Sequence, residues 1–354
     1  FERRFIALRC KDTIAPTGTI AQGVGARQVN AHGDIYETKY GLTTSQRVYG
    51  TVMENREGNG PCYLRTEGIS KEQEQDLYKA YLNMAPSQTL KWMEAGKGPS
   101  EENVEIEGTE PYIVGGHTAS GYWVDNNRAT TIEGLYAAGD VAGGCPQKYV
   151  TGALAEGEIA AEAILEYLNG KDDDRIAAEN KEEEALERGG EQELSQTATA
   201  KKAEYESHLN ASRSLMNAEQ LEEAMQKIMD QYAGGIGTDY RYSGMSLAKA
   251  DEKIAALLPV VDTLAATDTY ELMQIYELRE RLIVCQAVIA HLAARKETRW
   301  HSFGENTDYP QQSKEWMKYV NSRMENGEIK ILYRDLITKE NTGLNTAEKG
   351  AGER

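Results

Sequence analysis

The stretch Thr131–Leu165, TIEGLYAAGDVAGGCPQKYVTGALAEGEIAAEAIL, changes from a strand-like to a helical hydrophobic pattern at a glycine-rich loop. The short apolar run Gly134–Ala138 predicts a buried strand that ends at Gly139 and Asp140. In an open α/β sheet, ligands bind beyond the carboxyl ends of the strands. Asp140 is therefore a candidate ligand-binding carboxylate.

A helix is predicted to follow this loop, with Thr151 as its N-cap and Gly152 and Ala153 in its first turn. Small residues there let another molecule approach the free backbone N–H groups. Such a helix start suits an anion or an electron-rich ring atom. An ordinary strand–turn–helix unit without a ligand is the alternative, because isolated glycines are weak evidence.

Length and charge restrict the function classes. With 354 residues, two or more hydrophobic cores are expected. A net charge of −18 argues against a nucleic-acid partner. No apolar run approaches the roughly 18 residues of a membrane span, so an integral membrane protein is not expected. The chain starts at Phe1 in mid-pattern, and we expect an upstream part to be missing.

The four cysteines are scattered and form no C-x-x-C motif. Neither an iron–sulfur cluster nor a zinc site is therefore expected in this chain, and no metal ligands are assigned. Reduced thiols in a cytoplasmic protein are the simplest interpretation.

The first 36 residues predict short strands and loops and are locally basic. An anion nearby would explain this charge, and neutralisation by acidic neighbours is the alternative. The basic residues are Arg3, Arg4, Arg9, Lys11 and Arg27.

Further along, a helix is predicted from Ser70 and a second one over residues 87–94. The first should bury one face, formed by Leu77, Tyr78, Tyr81 and Leu82.

The run Pro111–Thr118 predicts a strand that delivers His117 to a loop, where an imidazole can meet a ligand. A loop histidine satisfied by backbone hydrogen bonds is the alternative.

Residues 171–206 are strongly charged, which favours a solvated linker or a partly helical excursion. Amphipathic helices are predicted over residues 218–232, over residues 247–258, where Pro259 should end the helix, and over residues 269–296. Three such helices in sequence predict a small bundle. A strand over residues 328–333 precedes a polar tail.

The segments GLYAAGDVAGG and GALAEGEIAAEAI resemble the flavin-binding part of the fumarate reductase and succinate dehydrogenase flavoprotein superfamily. More narrowly, YAGGIGTDYRY at 232–242, YELRERL at 276–282 and ETRW at 297–300 are similar to the adenylylsulfate reductase alpha-subunit family. FIALRCKD and GNGPCYL resemble that family more loosely.

The resemblance implies an α+β fold that lacks the N-terminal FAD-binding Rossmann part. It comprises the end of a capping domain, a partial FAD-binding α/β domain, a helical bundle domain and a C-terminal tail. The implied divisions are residues 1–109 for the capping or substrate domain, 110–170 for the return into the FAD-binding domain, 171–206 for a charged linker, 207–302 for the helical domain and 303–354 for the C-terminal segment.

Site residues follow from the same resemblance. Asp140, preceded by Gly139, would hold the ribityl chain of FAD, and the helix start at Thr151 would aim N–H groups at the flavin ring from Gly152, Ala153 and Leu154. FAD would be bound mainly by the missing part. Arg9 and His117 fall at the positions of the catalytic arginine and histidine, and Arg47 matches a further substrate-binding arginine.

The implied reaction is two-electron reduction of adenylylsulfate to sulfite and AMP. Electrons would come from a ferredoxin-like beta subunit that carries the [4Fe–4S] clusters. One alternative is a related flavoprotein that acts on another small anion, such as a C4 dicarboxylate. Another is a structural or docking module without activity of its own.

Overall fold

A computed structural model describes residues 8–13, 23–109, 111, 120–143, 149–178, 183–212, 214–299 and 304–336. His117, Cys145 and the predicted strand leading to His117 lie outside these residues. The described chain mixes helices and strands, which confirms the predicted α+β class.

A four-stranded antiparallel sheet forms the first unit. Its order is β1-β4-β3-β2, and the strands are β1 (Leu8–Cys10), β2 (Arg27–Val29), β3 (Cys62–Arg65) and β4 (Val104–Gly108). Successive side chains of β4 point to opposite faces of the sheet: Val104 and Ile106 are buried, whereas Glu105 and Glu107 point away from the core. The short strands predicted near the start are confirmed.

Within the described part of this unit, four helices accompany the sheet, namely α1 (Glu37–Tyr40), α2 (Thr44–Arg56), α3 (Lys71–Met84) and α4 (Pro86–Ala95). Helix α2 was not predicted, although Thr43 and Gln46 form a capping box at its start. The predicted α3 and α4 are confirmed. Leu82, however, is 59% exposed, so its predicted place on the buried face of α3 is wrong. Leu77 and Tyr81 are buried in the core, and the partly buried Tyr78 packs against it as predicted.

Residues 120–143 contain isolated bridges, from Ala129 to Tyr136 and from Tyr122 to Ala142. The predicted strand Gly134–Ala138 is therefore wrong, because the described residues supply no ladder of partners for it. Gly139–Val141 forms a single turn of 3-10 helix.

Two long helices follow, α5 (Tyr149–Ala178) and α6 (Glu183–Leu209). The predicted N-cap at Thr151 is wrong, since α5 already includes Tyr149 and Thr151 lies inside its first turn. Of the two interpretations of residues 171–206, the helical one holds for most of the stretch. Its many Ala, Glu and Lys residues have high helix propensity.

The predicted bundle consists of α7 (Ala218–Tyr232), α8 (Gly244–Val261) and α9 (Thr269–Ala294). Their apolar faces form a second core, which includes Leu221, Ile254 and Leu282. Pro259 does not end α8, because the helix continues for two residues and buries Val261. A proline so near the C-terminal end disturbs only the last turn.

Two small sheets complete the described chain. β5 (Arg241–Tyr242) pairs in parallel with β6 (Glu305–Asn306). β7 (Lys318–Glu325), which the sequence analysis missed, forms a hairpin with β8 (Glu328–Asp335). The hairpin packs against α9, and β8 confirms the strand predicted over residues 328–333. None of the helices seen in the described ranges is both long and apolar enough to cross a bilayer.

Candidate functional site

The start of α5 and the turn at Gly139 approach each other closely. Gly139 has φ +75°, a left-handed conformation that favours glycine. A Cβ atom at this position would lie 3.2 Å from the Cβ atom of Ala153. Glycine is therefore required both by the backbone conformation and by the approach of the helix.

A buried carboxylate ties this turn to the helix. The backbone N–H of Gly139 donates to Oε2 of Glu156 over 3.3 Å. The other oxygen, Oε1, lies 3.2 Å from Nη2 of Arg128. No role was predicted for Arg128 or Glu156 from the sequence, in which the one visible signal is the Glu156 carboxylate among the small residues of an otherwise apolar helix face.

The surface beside this turn is open. Asp140, Thr151, Ala153 and Leu154 are exposed, while Gly152 is buried. In the described chain α5 begins at Tyr149, and the first N–H groups of a helix have no partners within that helix. This surface therefore combines a carboxylate, free N–H donors and an apolar side chain.

These groups fit one part of FAD. A carboxylate can accept hydrogen bonds from ribityl hydroxyls, and a helix N-terminus favours the negative charge of a reduced flavin. Because Gly139 has no side chain, the turn can lie close to α5 beneath this surface. Because α5 starts at Tyr149, the free N–H groups lie slightly upstream of the predicted Gly152–Leu154.

Arg9 lies in β1 and is buried against an acidic partner. Its Nη2 and Nε lie 2.7 and 2.9 Å from Oε1 of Glu107 on β4. Lys11 and Arg27 likewise pair with Glu105 and Glu37, each at 2.7 Å. Each of these three basic residues therefore has an acidic partner, and Arg9 is buried rather than exposed.

The thiol next to Arg9 is not a reactive group. Burial raises the pKa of Cys10 to about 12, and its Sγ lies 3.9 Å from the hydroxyl of Tyr81. Cys62 is also buried, and its pKa is raised to about 11. A thiolate is therefore not available from either residue near neutral pH.

Arg47 lies in the first turns of α2 and is partly buried. Its Nε donates to the carbonyl oxygen of Leu42 over 2.8 Å. Its Nη1 is buried and finds no hydrogen-bond partner within the described residues. A buried guanidinium nitrogen without a partner is unfavourable, and an anion could satisfy it.

The site residues fall into two groups. Arg9 and Arg47 belong to the sheet unit, where their neighbours Leu8 and Val48 share one core. Gly139, Asp140 and the start of α5 form the second group. His117 lies outside the described residues, so its predicted role stays a prediction. Within the described ranges, no three His, Cys, Asp or Glu side chains come together as a metal site.

Comparison with known proteins shows what the chain is similar to. Residues 222–348 match the family described as the fumarate reductase flavoprotein C-terminal domain. The chain is 28% identical over 382 aligned residues to the alpha subunit of adenylylsulfate reductase from Megalodesulfovibrio gigas, covering 91% of this chain and 55% of that protein. It therefore spans about half the length of the curated relatives it matches.

Solved structures agree with this relationship. Adenylylsulfate reductase from Archaeoglobus fulgidus superposes with a TM-score of 0.78 at 29% identity, over 95% of this chain and 59% of that one. A quinol fumarate reductase flavoprotein of E. coli superposes with a TM-score of 0.62 at 19% identity, over 95% of this chain and 60% of that one. The second likeness shows a shared fold.

Proposed function

We propose that the chain is part of a flavin-dependent reductase of adenylylsulfate. The premise is its homology to the adenylylsulfate reductase alpha subunit, together with the match of residues 222–348 to a domain of the fumarate reductase and succinate dehydrogenase flavoprotein superfamily. The products would be sulfite and AMP. The observation that carries the proposal is the similarity to this alpha subunit along nine tenths of the chain.

FAD is the cofactor that these relatives imply. When bound, it would supply the two-electron chemistry of the reaction. Asp140 would accept hydrogen bonds from the ribityl hydroxyls. The first turn of α5, from Tyr149 to Thr151, would present its N–H groups to the flavin ring, where the helix dipole stabilises negative charge.

The substrate would meet cationic groups from the sheet unit. Arg47 offers the buried Nη1 that lacks a partner in the described chain, and a sulfuryl or phosphate oxygen would satisfy it. Arg9 would act as the second cation, held in place by Glu107. His117 would orient the sulfate or exchange a proton with it.

The proposed domain divisions keep residues 1–109 as the capping domain, 110–170 as part of the FAD-binding domain, 171–206 as a charged connection, 207–302 as the helical domain and 303–354 as the C-terminal segment.

Electrons would arrive from a ferredoxin-like beta subunit with [4Fe–4S] clusters. We place the enzyme in the cytoplasm, where its cysteines stay reduced.

Two other functions compete with this one. A flavoprotein that acts on a C4 dicarboxylate would use the same arginines and histidine. A structural or docking module would need neither flavin nor substrate. Among the structures compared, the adenylylsulfate reductase has the higher TM-score and identity, which favours the leading proposal over the dicarboxylate enzyme.

The test uses the full-length protein, purified with its iron–sulfur partner and supplied with reduced viologen dye. We expect viologen oxidation when adenylylsulfate is added, together with release of sulfite and AMP. Oxidation with fumarate alone would move the assignment to the dicarboxylate enzyme. A full-length protein without the flavin absorbance bands would contradict both flavoenzyme functions and leave the docking module.

A further inference from the structure

Glu156 is a buried carboxylate that the proposed reaction does not use. Only 4% of its surface is exposed, although it lies on α5 two turns from the helix start. Burying a charge is unfavourable unless partners compensate it. The partners of the Glu156 carboxylate therefore indicate its role.

Each carboxylate oxygen of Glu156 has a different partner. Oε2 accepts the backbone N–H of Gly139, and Oε1 pairs with Arg128. Arg128 itself has φ +67°, and its Nη1 donates to the carbonyl oxygens of Asp125 and Asn126. One carboxylate thus connects the turn at 125–129, the turn at Gly139 and helix α5.

Backbone hydrogen bonds continue the same connection. The N–H of Ala137 donates to the carbonyl oxygen of Arg128 over 3.0 Å, and the N–H of Ala142 donates to the carbonyl oxygen of Gly139, also over 3.0 Å. Asp140 lies in the chain between Ala137 and Ala142, whose N–H groups make these two hydrogen bonds. Its backbone position is therefore set by contacts that pass through Arg128 and Gly139 to Glu156.

From this arrangement we propose that the Arg128–Glu156 pair is a positioning device for the flavin site, an inference that rests on the proposed function. Glu156 holds Gly139 against Ala153, and so it fixes the distance between the Asp140 carboxylate and the start of α5. Both groups must face the same cofactor, one at its ribityl chain and one at its ring. Neither Glu156 nor Arg128 needs to touch the flavin.

A role in stability alone is the competing explanation. An ion pair that serves only to connect segments would affect unfolding, and the bound flavin would keep its surroundings. A positioning pair would change FAD affinity and the visible circular dichroism of the bound flavin, which reports on the geometry around the ring. The two roles are therefore separable by measurement.

The experiment compares the full-length protein with its Glu156→Gln variant, which keeps the side-chain shape and removes the charge. Glu158→Gln is the matched control, because Glu158 is an exposed carboxylate on the same helix. FAD affinity is measured by titrating the apoprotein, and the flavin circular dichroism is recorded at saturation.

We expect Glu156→Gln to bind FAD at least tenfold more weakly, with an altered flavin spectrum, while Glu158→Gln matches wild type. Wild-type affinity and spectrum in Glu156→Gln would overturn the positioning role even if its melting temperature falls. If Glu156→Gln does not fold, Arg128→Gln, which removes the other charge of the pair, is measured in the same way, and wild-type affinity and spectrum in that variant would overturn the positioning role. A wild-type protein that binds no FAD would overturn the proposed function itself, so the two failures are distinguishable.

Discussion

The hydroxyl of Tyr240 donates a hydrogen bond of 2.7 Å to the carbonyl oxygen of Thr109. Tyr240 lies between α7 and α8 of the helical bundle, yet its ring is buried in the core of the four-stranded sheet. Tyr240 and its neighbour Asp239 both have positive φ angles, 63° and 50°. The bundle thus inserts one aromatic side chain into the sheet unit from a strained turn.

An arginine of the sheet unit reinforces the same junction. Nη1 of Arg56, the last residue of α2, lies 3.0 Å from Oε2 of Glu305 on β6. Its Nη2 also donates to the carbonyl oxygen of Asp239. The junction therefore has an aromatic contact and a charged contact side by side.

The first prediction concerns the Tyr240 hydroxyl. Tyr240→Phe leaves the buried carbonyl of Thr109 without this donor, so we expect the free energy of unfolding to fall by about 1–3 kcal/mol. Urea unfolding of the full-length protein measures this. Tyr270→Phe is the control, since Tyr270 is 63% exposed on α9 and should be near neutral. Equal stability of the two variants would show that the hydrogen bond contributes nothing.

Local periodicity was sufficient to predict most of the helices. The boundaries of α7 agree with the prediction, because Asn217 caps its start and Gly234 and Gly235 follow its end. The charged stretch after residue 170 was harder, since a helix without a clear apolar face resembles a solvated linker. Helix α2 was missed for a similar reason: its apolar residues, such as Val48 and Val52, are few among polar ones.

Contacts between distant residues were not predictable from sequence. The partner of Arg9 is Glu107, 98 residues away, and nothing in the local pattern around either residue indicates the pair. The strand prediction for Gly134–Ala138 is wrong because it also depended on distant residues. Its composition favours a strand, but strand formation depends on partners that lie elsewhere in the chain. The residues proposed to bind flavin were predicted from a sequence motif, whereas the contacts of Glu156 with Gly139 and Arg128 are visible only in the folded chain.

Two glycines on either side of the α5 start give a second prediction. Gly139→Ala introduces a side chain at φ +75°, which costs about 1–2 kcal/mol, and places its Cβ atom 3.2 Å from that of Ala153. Gly157→Ala has open space around it within α5 and should stabilise by about 0.5–1 kcal/mol. Thermal unfolding of the two variants should therefore shift in opposite directions. Shifts of the same sign would contradict the close approach at Gly139.

Arg47 carries the third prediction. If its Nη1 meets a substrate oxygen, Arg47→Met removes a charged hydrogen bond and should raise KM for adenylylsulfate roughly 10- to 100-fold. FAD content should stay unchanged, because Arg47 belongs to the sheet unit. Arg47→Lys should recover part of the loss, since lysine supplies charge without the fork of donors.

Lys79→Gln is the control for that series. Lys79 is an exposed cation on α3, and its loss changes the net charge by the same amount as Arg47→Met. Steady-state kinetics of the full-length enzyme with its partner compares the variants. A KM for Arg47→Met within twofold of that for Lys79→Gln would remove Arg47 from the substrate site.

The last prediction concerns pH and His291, a buried residue of α9 whose Nε2 lies 2.9 Å from Oγ of Ser322 on β7. Burial lowers its pKa from 6.5 to about 3 in the folded protein. Below pH 6.5 the unfolded chain binds a proton that the folded chain does not, so stability falls as pH falls, by about 1.4 kcal/mol per pH unit. Between pH 7 and pH 5 this amounts to about 2 kcal/mol.

His291→Gln should remove that part of the decline, whereas His32→Gln, at an exposed histidine, should keep the wild-type slope. Urea unfolding at both pH values measures the difference, and parallel slopes for wild type and His291→Gln would mean that His291 is not held neutral by the fold.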